Sequence, residues 1–538
     1  MSLAGTLSKE SLPTLLQQAN FLNGIKFVLS VFVVYSCCMI AVDWVVYEWK
    51  RRAHGCGKIP RYPHRDPFFG VDIVFGMAKS LRNDYFLVWL NKVHENLPKT
   101  FLVNFVGTRF IYTIEPENMK SMSAINWQDF AVGPMRRNNK ATAPFADKGV
   151  NTVDGHEWEF SRFLIKPFFK RETFTDTTRL TIHVDRVLEQ LPADGETVNI
   201  QPLIQRWFLD VTTASLFGES IESLVYPERA PICWAMVDVL RGLRLRLQWY
   251  KYIWLFRHQE WLDAVDVVHK YLDAHIDRTY DELDVYKRQG KDPEAADRND
   301  LLWYMASNLP DKEALRSQIC LIFVPNNDTT SIFISHILWN LARHPEVYQK
   351  CRQEVLAVGD AELTFSVLRN MKYLSAVLNE SAWLVSLPPI RDPGLTYRKA
   401  HRLFPNGVTQ VRKCIRDTTL PVGGGRDGKQ RIFVRKGDVV QVNKNVIHRD
   451  RDIWGPDAED FRPERWENMR PYWNFVPFGG GPRRCPAQML VTAEASYFLA
   501  RLMRVYKRIE ARDPNPYVGV MRVGPSNKTG VQIALFKE

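Results

Sequence analysis

The sequence predicts a mainly α protein with a small β component, built as one large domain behind a single N-terminal transmembrane helix. Three observations lead there. Long helical patterns dominate from about residue 70 onward, strand-like runs are few and short, and a charge-free apolar run sits near the N-terminus. Residues 258–283 carry apolar side chains at three- and four-residue spacing, as an amphipathic helix does. Residues 314–343 are apolar nearly all round, which predicts a buried helix. A charged connector, 284–299, lies between them. Strands are expected at 100–107, 109–114, 431–442 and 530–536.

Composition narrows the class. The chain has 538 residues, 45% hydrophobic and 25% charged, and its mean hydropathy is −0.26. These values exclude a disordered chain, a collagen-like repeat and a multi-span transporter. At roughly 150 residues per domain the length allows three or four domains. Without an internal repeat, a mostly helical body fits one large domain better. The net charge of +12 suits an anionic partner or surface. No basic run with interleaved aromatics marks a nucleic-acid site, so no nucleic acid is expected and the excess is assigned to a solvated or membrane-facing surface. Eight scattered cysteines without a CxxC pair point to a reducing compartment rather than a disulfide framework.

The apolar run FVLSVFVVYSCCMIAV covers 27–42 and reaches Trp49 if Asp43 and Glu48 are accepted near an interface. That length suffices to cross a bilayer. Trp44, Tyr47 and Trp49 are placed as an aromatic belt, and Lys50, Arg51 and Arg52 follow at once. The positive-inside rule then predicts a single-pass protein with its large C-terminal part in the cytosol. The expected organisation is a luminal segment at 1–26, an anchor at 27–49, a basic proline-rich linker at 50–69 and the main domain at 70–538. Pro60, Pro63 and Pro67 make the linker stiff and extended. The basic aromatic stretch 241–257 reads equally as a membrane-surface entrance or as a surface helix with one packed face.

The most informative segment is Phe478-Gly479-Gly480-Gly481-Pro482-Arg483-Arg484-Cys485-Pro486-Ala487. A glycine-rich loop lets backbone approach a flat ligand. One cysteine then stands at the start of a helical segment, where Pro486 suits the first position and the helix terminus favours a thiolate. Upstream lie Phe461-Arg462-Pro463-Glu464-Arg465-Trp466, His448-Arg449-Asp450 and Trp454-Gly455-Pro456-Asp457, and further back Trp158-Glu159-Phe160-Ser161-Arg162. In this order the motifs resemble the cytochrome P-450 superfamily over essentially residues 60–538. The family pattern Phe-x-x-Gly-x-Arg-x-Cys-x-Gly is met at Phe478, Gly481, Arg483 and Cys485, with Ala487 in place of the last glycine. In the second half, around 418–429 and 461–478, the resemblance is closest to fungal enzymes that hydroxylate alkanes and fatty acids.

The resemblance implies the P-450 fold and a haem-thiolate monooxygenase. Cys485 would be the proximal ligand of haem iron. Trp158, Arg162, Arg412 and Arg483 would meet haem propionates. Pro325-Asn326-Asn327-Asp328-Thr329-Thr330 occupies the family's acid–threonine segment, so Asp328 and Thr329 would relay protons to oxygen, and Pro325 should kink the helix. Phe145, Val150 and Phe323 would line the pocket by family position. Electrons would come from NADPH through a separate flavoprotein reductase at the same, endoplasmic reticulum, membrane. The substrate expected is an apolar small molecule, first a fatty acid or alkane reached through membrane lipid, with a terpenoid or polyketide as the alternative. A reductase-independent thiolate-haem isomerase is a rival that the Asp328–Thr329 pair argues against.

One departure interrupts the pattern. The family pairs a Glu and an Arg three apart on one helix face. Here Glu380 stands in that context, but Arg402 arrives nineteen residues late. The intervening 382–400 contains Pro388, Pro389, Pro393 and Gly394 and cannot continue a helix. Deleting it gives Glu-Ser-His-Arg-Leu-Phe-Pro in frame, as a retained intron would. If the segment is a real insertion, the expectation is weakened haem retention or an inactive haem-binding membrane protein.

Overall fold

The computed structural model describes residues 11–66, 69–138, 140–169, 175–249, 251–255, 258–293, 296, 298, 300–381, 407–522 and 524–537. Segment 382–400, Arg402 and Pro67 lie outside them. The body is mainly helical, as the sequence predicts. Its helices that bear on the site are α1 (Ser11–Ala53), α2 (Gly155–Ile165), α3 (Ile200–Phe217), α4 (Pro231–Gln248), α5 (Gln259–Arg288), α6 (Lys312–Leu341), α7 (Lys372–Ser381) and α8 (Gln488–Val505). α6 crosses the interior: from Gln318 to Leu341 every residue is buried except Pro325, Asn326 and Thr329. An all-round apolar helix has no other place to go. It packs on α3, α4, α5, α7 and α8.

The small β component flanks the helices. One sheet runs β1 (Thr100–Phe105), β2 (Thr108–Thr113), β7 (Val439–Asn443), β4 (Thr409–Cys414) and β3 (Phe130–Ala131) in spatial order, with β2 and β7 parallel and the other pairs antiparallel. A hairpin of β5 (Thr418–Gly424) and β6 (Gln430–Val434) forms a second. The run predicted as one strand at 431–442 is therefore two, assigned to different sheets. Gly437 explains the split: its φ of 98° is left-handed backbone that a side chain resists, and it turns the chain between β6 and β7. Near the C-terminus β8 (Gly519–Met521) pairs with β9 (Pro525–Asn527) around a tight turn.

The segment read as a linker lies along the sheets. Gly57 N–H donates to the Arg431 carbonyl at 2.8 Å, Leu102 N–H to Pro60 at 2.8 Å and Tyr62 N–H to Leu102 at 2.9 Å. These bonds attach residues 57–62 to β6 and β1, so this stretch is docked rather than a free spacer. The end of α1 docks as well. Lys50 pairs with Asp417 at 2.7 Å, Asp43 pairs with Arg435, and the Tyr47 ring lies 5.7 Å from Phe433. Asp43, Tyr47 and Lys50 therefore meet protein, where the sequence reading placed them at a lipid interface, while Trp44 and Trp49 are exposed. Among the described residues no helix is long and apolar enough to cross a membrane. Side chains at 11–25, 27, 29, 33, 36 and 37 are outside that set.

Glu380, on α7, fixes the segment that precedes the cysteine loop. It is fully buried. One carboxylate oxygen accepts from Arg465 Nε at 2.8 Å and Arg462 N–H at 3.1 Å, the other from Trp466 Nε1 at 2.8 Å. Arg465 in turn donates to the carbonyls of Asp457 and Asp460, both at 3.0 Å. Thus Glu380 ties α7 to 457–466 directly. Burial raises its carboxyl to about 7 against the pull of Arg465. Replacing Glu380 by Gln strands the buried Arg465 charge. The expected loss is about 3–5 kcal/mol of stability, read by urea unfolding of the full chain.

Candidate functional site

The cysteine loop is set by close backbone approach. Gly481 has φ of 68°, and a Cβ there would lie 1.8 Å from the Ser123 carbonyl oxygen. Only glycine satisfies both conditions. Gly479 N–H donates to Val476 at 3.0 Å, Arg484 N–H to Gly481 at 3.1 Å and Cys485 N–H to Phe478 at 2.9 Å. These successive turns present Cys485 ahead of α8. That helix starts at Gln488 with Ala487 as its cap, so Pro486 precedes the first helical position that the sequence reading gave it.

Cys485 is exposed yet closely surrounded by the residues that shift its thiol, as on a cleft floor. Its thiol is raised above the ordinary value by burial, opposed by the Ala487 backbone N–H and by Arg162, Lys444 and Arg484. The expected easy ionisation from the helix terminus is thus corrected: desolvation wins over the dipole. A metal cation at the sulfur reverses this balance, because a coordinating thiol is deprotonated outright.

Around this floor converge cations from distant parts of the chain. Trp158 and Arg162 are four apart on one face of α2. Arg483 lies over the Trp158 ring at 4.7 Å and pairs with Asp154 at 2.6 Å. Arg412 comes from β4, and two residues that sequence reasoning missed join it: Arg136 and the buried Lys444. Arg136 is lowered to about 10 by burial and then by Arg483; Arg412 to about 9 by burial, then Arg136 and Arg483; Lys444 to about 8 by burial, then Arg412. Arg162 and Arg483 are also lowered by burial, opposed respectively by Cys485 and Asp154. Of these positions Arg162 and Arg483 stand in recognisable motifs; an isolated Arg136 or Lys444 carries no sequence signal. Arg483 Nε is buried without a hydrogen-bond partner. The residues fit a flat dianionic group: cations in excess of Asp154 for its carboxylates, and a cysteine sulfur for its metal.

Facing the interior, Pro325, Asn326 and Thr329 are the half-buried positions in the middle of α6. Their spacing puts them on one helix face. α6 runs without interruption through Pro325. The Thr329 hydroxyl donates to the Pro325 carbonyl at 2.8 Å. Asp328 points elsewhere. It is buried and pairs with buried Arg522, in the β8–β9 turn, at 2.7 Å. Its second oxygen is buried without a hydrogen-bond partner, and burial raises its carboxyl against the pull of Arg522. Adjacent in sequence, Asp328 and Thr329 thus present different surroundings. Arg522 was not legible in the sequence because its turn carries no motif. Phe145 and Phe323 are fully buried in one apolar cluster that Val150 borders. Phe323 packs on Phe217 at 5.3 Å and on Tyr271 at 5.9 Å. At about 100° per residue it turns away from the Pro325–Thr329 face, so it belongs to the core.

Two outcomes follow. Carboxylates brought to the cluster hold its cations protonated. The contribution of Lys444 to haem affinity is therefore full below about pH 8 and is lost as pH rises. Haem loss on dialysis at neutral and alkaline pH checks this, with Lys444→Met removing part of the dependence. Arg522→Leu leaves Asp328 buried without its counter-charge, and the expected cost is about 3–5 kcal/mol in chemical denaturation.

Comparison with known proteins agrees with this geometry. The Cytochrome P450 family model matches residues 60–390 and 400–520, with its break inside 382–400. The chain is 89% identical over 538 residues to cytochrome P450 monooxygenase apdE of Emericella nidulans, covering all of both chains. It is 56% identical over 488 residues to cytochrome P450 monooxygenase iliC of a Neonectria species, covering 90% of this chain and 93% of that one. It is 50% identical over 517 residues to cytochrome P450 monooxygenase fumoA of Cordyceps fumosorosea, covering 94% and 98%. With a cysteine loop, a surplus of buried cations and a family match over most of its length, this chain belongs to the cytochrome P450 family and is a haem-thiolate monooxygenase, an oxidoreductase.

Proposed function

We propose that the protein oxidises a terpenoid- or polyketide-like small molecule that is largely apolar but bears hydrogen-bonding groups. The observation that carries this reading is the α6 face at the site. There Asn326 presents an amide beside the Thr329 hydroxyl, which donates to the Pro325 carbonyl, and a plain alkyl chain offers that amide no hydrogen bond. Asn326 has only a long 3.4 Å contact to Thr212. The fatty acid or alkane favoured by the sequence reading suits that surface less well. When bound, haem supplies the activation of molecular oxygen. The protein's own residues would do the rest: Cys485 would hold the metal, Arg136, Arg162, Arg412, Arg483, Lys444 and Trp158 would hold the propionate side, and Thr329 would manage protons, with Asp328 joining it through its ion pair with Arg522.

Electrons come from NADPH through a flavoprotein reductase. A groove of about 450 Å³ beneath Cys485, lined by Glu159, Arg162, Phe163, Lys166, Phe169 and Pro486 among others, offers it a docking face. Exposed Phe163 and Lys166 and the neighbouring Arg484 give that face apolar and basic contacts, complementary to an acidic partner. The N-terminal helix anchors the protein to the endoplasmic reticulum membrane with the catalytic body in the cytosol. Val28, Phe32, Val34, Tyr35 and Ile40 are all exposed on α1, an apolar surface that supports attachment to a membrane. Phe75, 70% exposed, and Trp254, 76% exposed, add apolar contacts on the body.

Residues 382–400 are read as a retained intron. The support is the in-frame repair of the Glu-x-x-Arg pattern on deletion and the intact partnership of Glu380 with Arg465. Two measurements check these readings. The full chain and its 382–400 deletion are expressed in parallel, and the deletion is expected to bind severalfold more haem with a full thiolate band in the reduced carbon monoxide spectrum. A transcript that consistently encodes 382–400 and a full band in the longer form would overturn the intron reading. Reconstituted with reductase, the enzyme is expected to turn over terpenoid or polyketide substrates ahead of a fatty acid and alkane panel; preferential chain-end hydroxylation of fatty acids would reverse the substrate assignment.

A further inference from the structure

The basic stretch at 241–257 divides its charges between two tasks. Arg244 and Arg246, near the end of α4, donate to backbone carbonyls of the body, at Met521 and Ala141, each at 2.9 Å. Lys251 instead lines a cleft of about 400 Å³ between the end of α1 and the sheets. The cleft is walled by α1 at Asp43, Tyr47 and Lys50, by the β1–β2 turn leading to Arg109, and by the β6–β7 turn at 435–438. Its walls come from well-separated parts of the chain, so no motif announces it.

Most of the charge in this cleft is paired. Arg435 meets Asp43 and, from Nε at 3.0 Å, Asp438. Lys50 meets Asp417 at 2.7 Å. Arg109 lies over the Tyr47 ring at 4.2 Å, with its Nε 3.4 Å from Asp438. All three carboxylates of the lining are thus engaged, and two lysines remain. Lys251 donates to the Thr108 hydroxyl at 2.7 Å. Lys436 is exposed, and its backbone N–H donates to Asp417 at 2.8 Å. Among the described residues no carboxylate pairs with either ammonium. Burial, and then Lys413, lowers the pKa of Lys251. Five cations line the cleft against three carboxylates, an excess of two positive charges. A concave surface with such an excess attracts an anion.

The surroundings indicate which anion. Val28, Phe32, Val34, Tyr35 and Ile40 are exposed along α1, and Ile40 precedes Asp43 by only about 4.5 Å of helix rise. Trp44 and Trp49 on α1, and Trp254 just after Lys251, are exposed as well. Apolar side chains, then indoles, then a cationic cleft follow the order of tails, interface and headgroups in a lipid leaflet.

We propose that this cleft binds the phosphate-ester headgroup of an anionic phospholipid, held by Lys251 and Lys436 beside α1. It rests on the reading that α1 attaches the protein to a membrane. A phosphocholine headgroup brings a quaternary cation that the surplus positive charge disfavours, whereas phosphatidylserine keeps a net negative charge. Full-length wild-type protein and its Lys251→Gln/Lys436→Gln variant are titrated by calorimetry in neutral detergent with dihexanoyl phosphatidylserine, dihexanoyl phosphatidylcholine and inorganic phosphate. One phosphatidylserine per chain is expected, bound about tenfold or more tighter than either other probe and about tenfold or more weaker in the variant. A Lys58→Gln/Lys429→Gln control removes equal charge from exposed positions outside the cleft and is expected to bind as wild type. Should the double variant melt early, Lys436→Gln alone, at an exposed position, is expected to show a smaller loss in the same direction. Equal affinity for phosphatidylcholine, or no loss in either cleft variant, overturns the headgroup site. Inorganic phosphate bound as tightly as phosphatidylserine overturns the lipid as its source. Flotation with phosphatidylcholine vesicles reports attachment separately: without flotation the attachment reading fails, and the calorimetry still decides the cleft.

Discussion

Uncompensated positive charge around the cysteine loop is the constraint on which the site depends. Arg136, Arg412 and Arg483 share the carboxylate of Asp154, Arg162 and Lys444 lie near the Cys485 sulfur, and each of the five has its pKa lowered by burial. Like charges gathered out of water oppose folding unless an anion joins them. The protein resolves this by leaving the cations on the wall of a cleft, half-buried except for Lys444, so that an incoming dianion completes the network. Cofactor binding and local stability are thus one problem. The raised thiol of Cys485 obeys the same logic with opposite sign: the fold desolvates it, and a metal cation makes the thiolate favourable.

Rigid parts surround this strained centre. Glu380 supplies hydrogen-bond acceptors to three donors from 462–466 and holds the segment from which the cysteine loop departs. Gly481 lets that loop press against the Ser123 carbonyl. From Gln318 on, α6 is a buried strut whose half-buried positions are Pro325, Asn326 and Thr329. Asp328, one residue from that face, is instead engaged by Arg522. Any role for Asp328 in proton delivery includes the release or relay of that ion pair, which links the middle of α6 to the turn between β8 and β9. α4, which packs on α6, is fastened to the loop before α2 and to that same turn by arginines at its C-terminal end.

Much of the architecture was legible because it rests on local rules. The apolar stretch at 314–343 had to be an interior helix, and the three-and-four spacing at 258–283 had to be amphipathic. The cysteine loop was recognisable because its glycines, arginine and cysteine are contiguous. Where expectation and structure differ, a nonlocal contact is the reason. The strand read at 431–442 is divided by Gly437 because each half finds a different sheet. The linker at 50–69 lies along β1 and β6 because its backbone groups find partners there. Asp43 meets Arg435 and Lys50 meets Asp417, pairs separated by more than 350 residues.

By itself, then, the sequence determined the class of the protein, the identity of the thiolate and the burial of α6, since periodicity and contiguous motifs encode local geometry and apolar burial. Only the tertiary structure decided which charges meet. Arg136, Lys444, Arg522 and Arg246 stand in no motif, and each acquires its role from what lies across space. A guanidinium has the same chemistry everywhere in a chain; its surroundings make it a member of a buried cation cluster, a counter-ion to Asp328 or a donor to three backbone carbonyls.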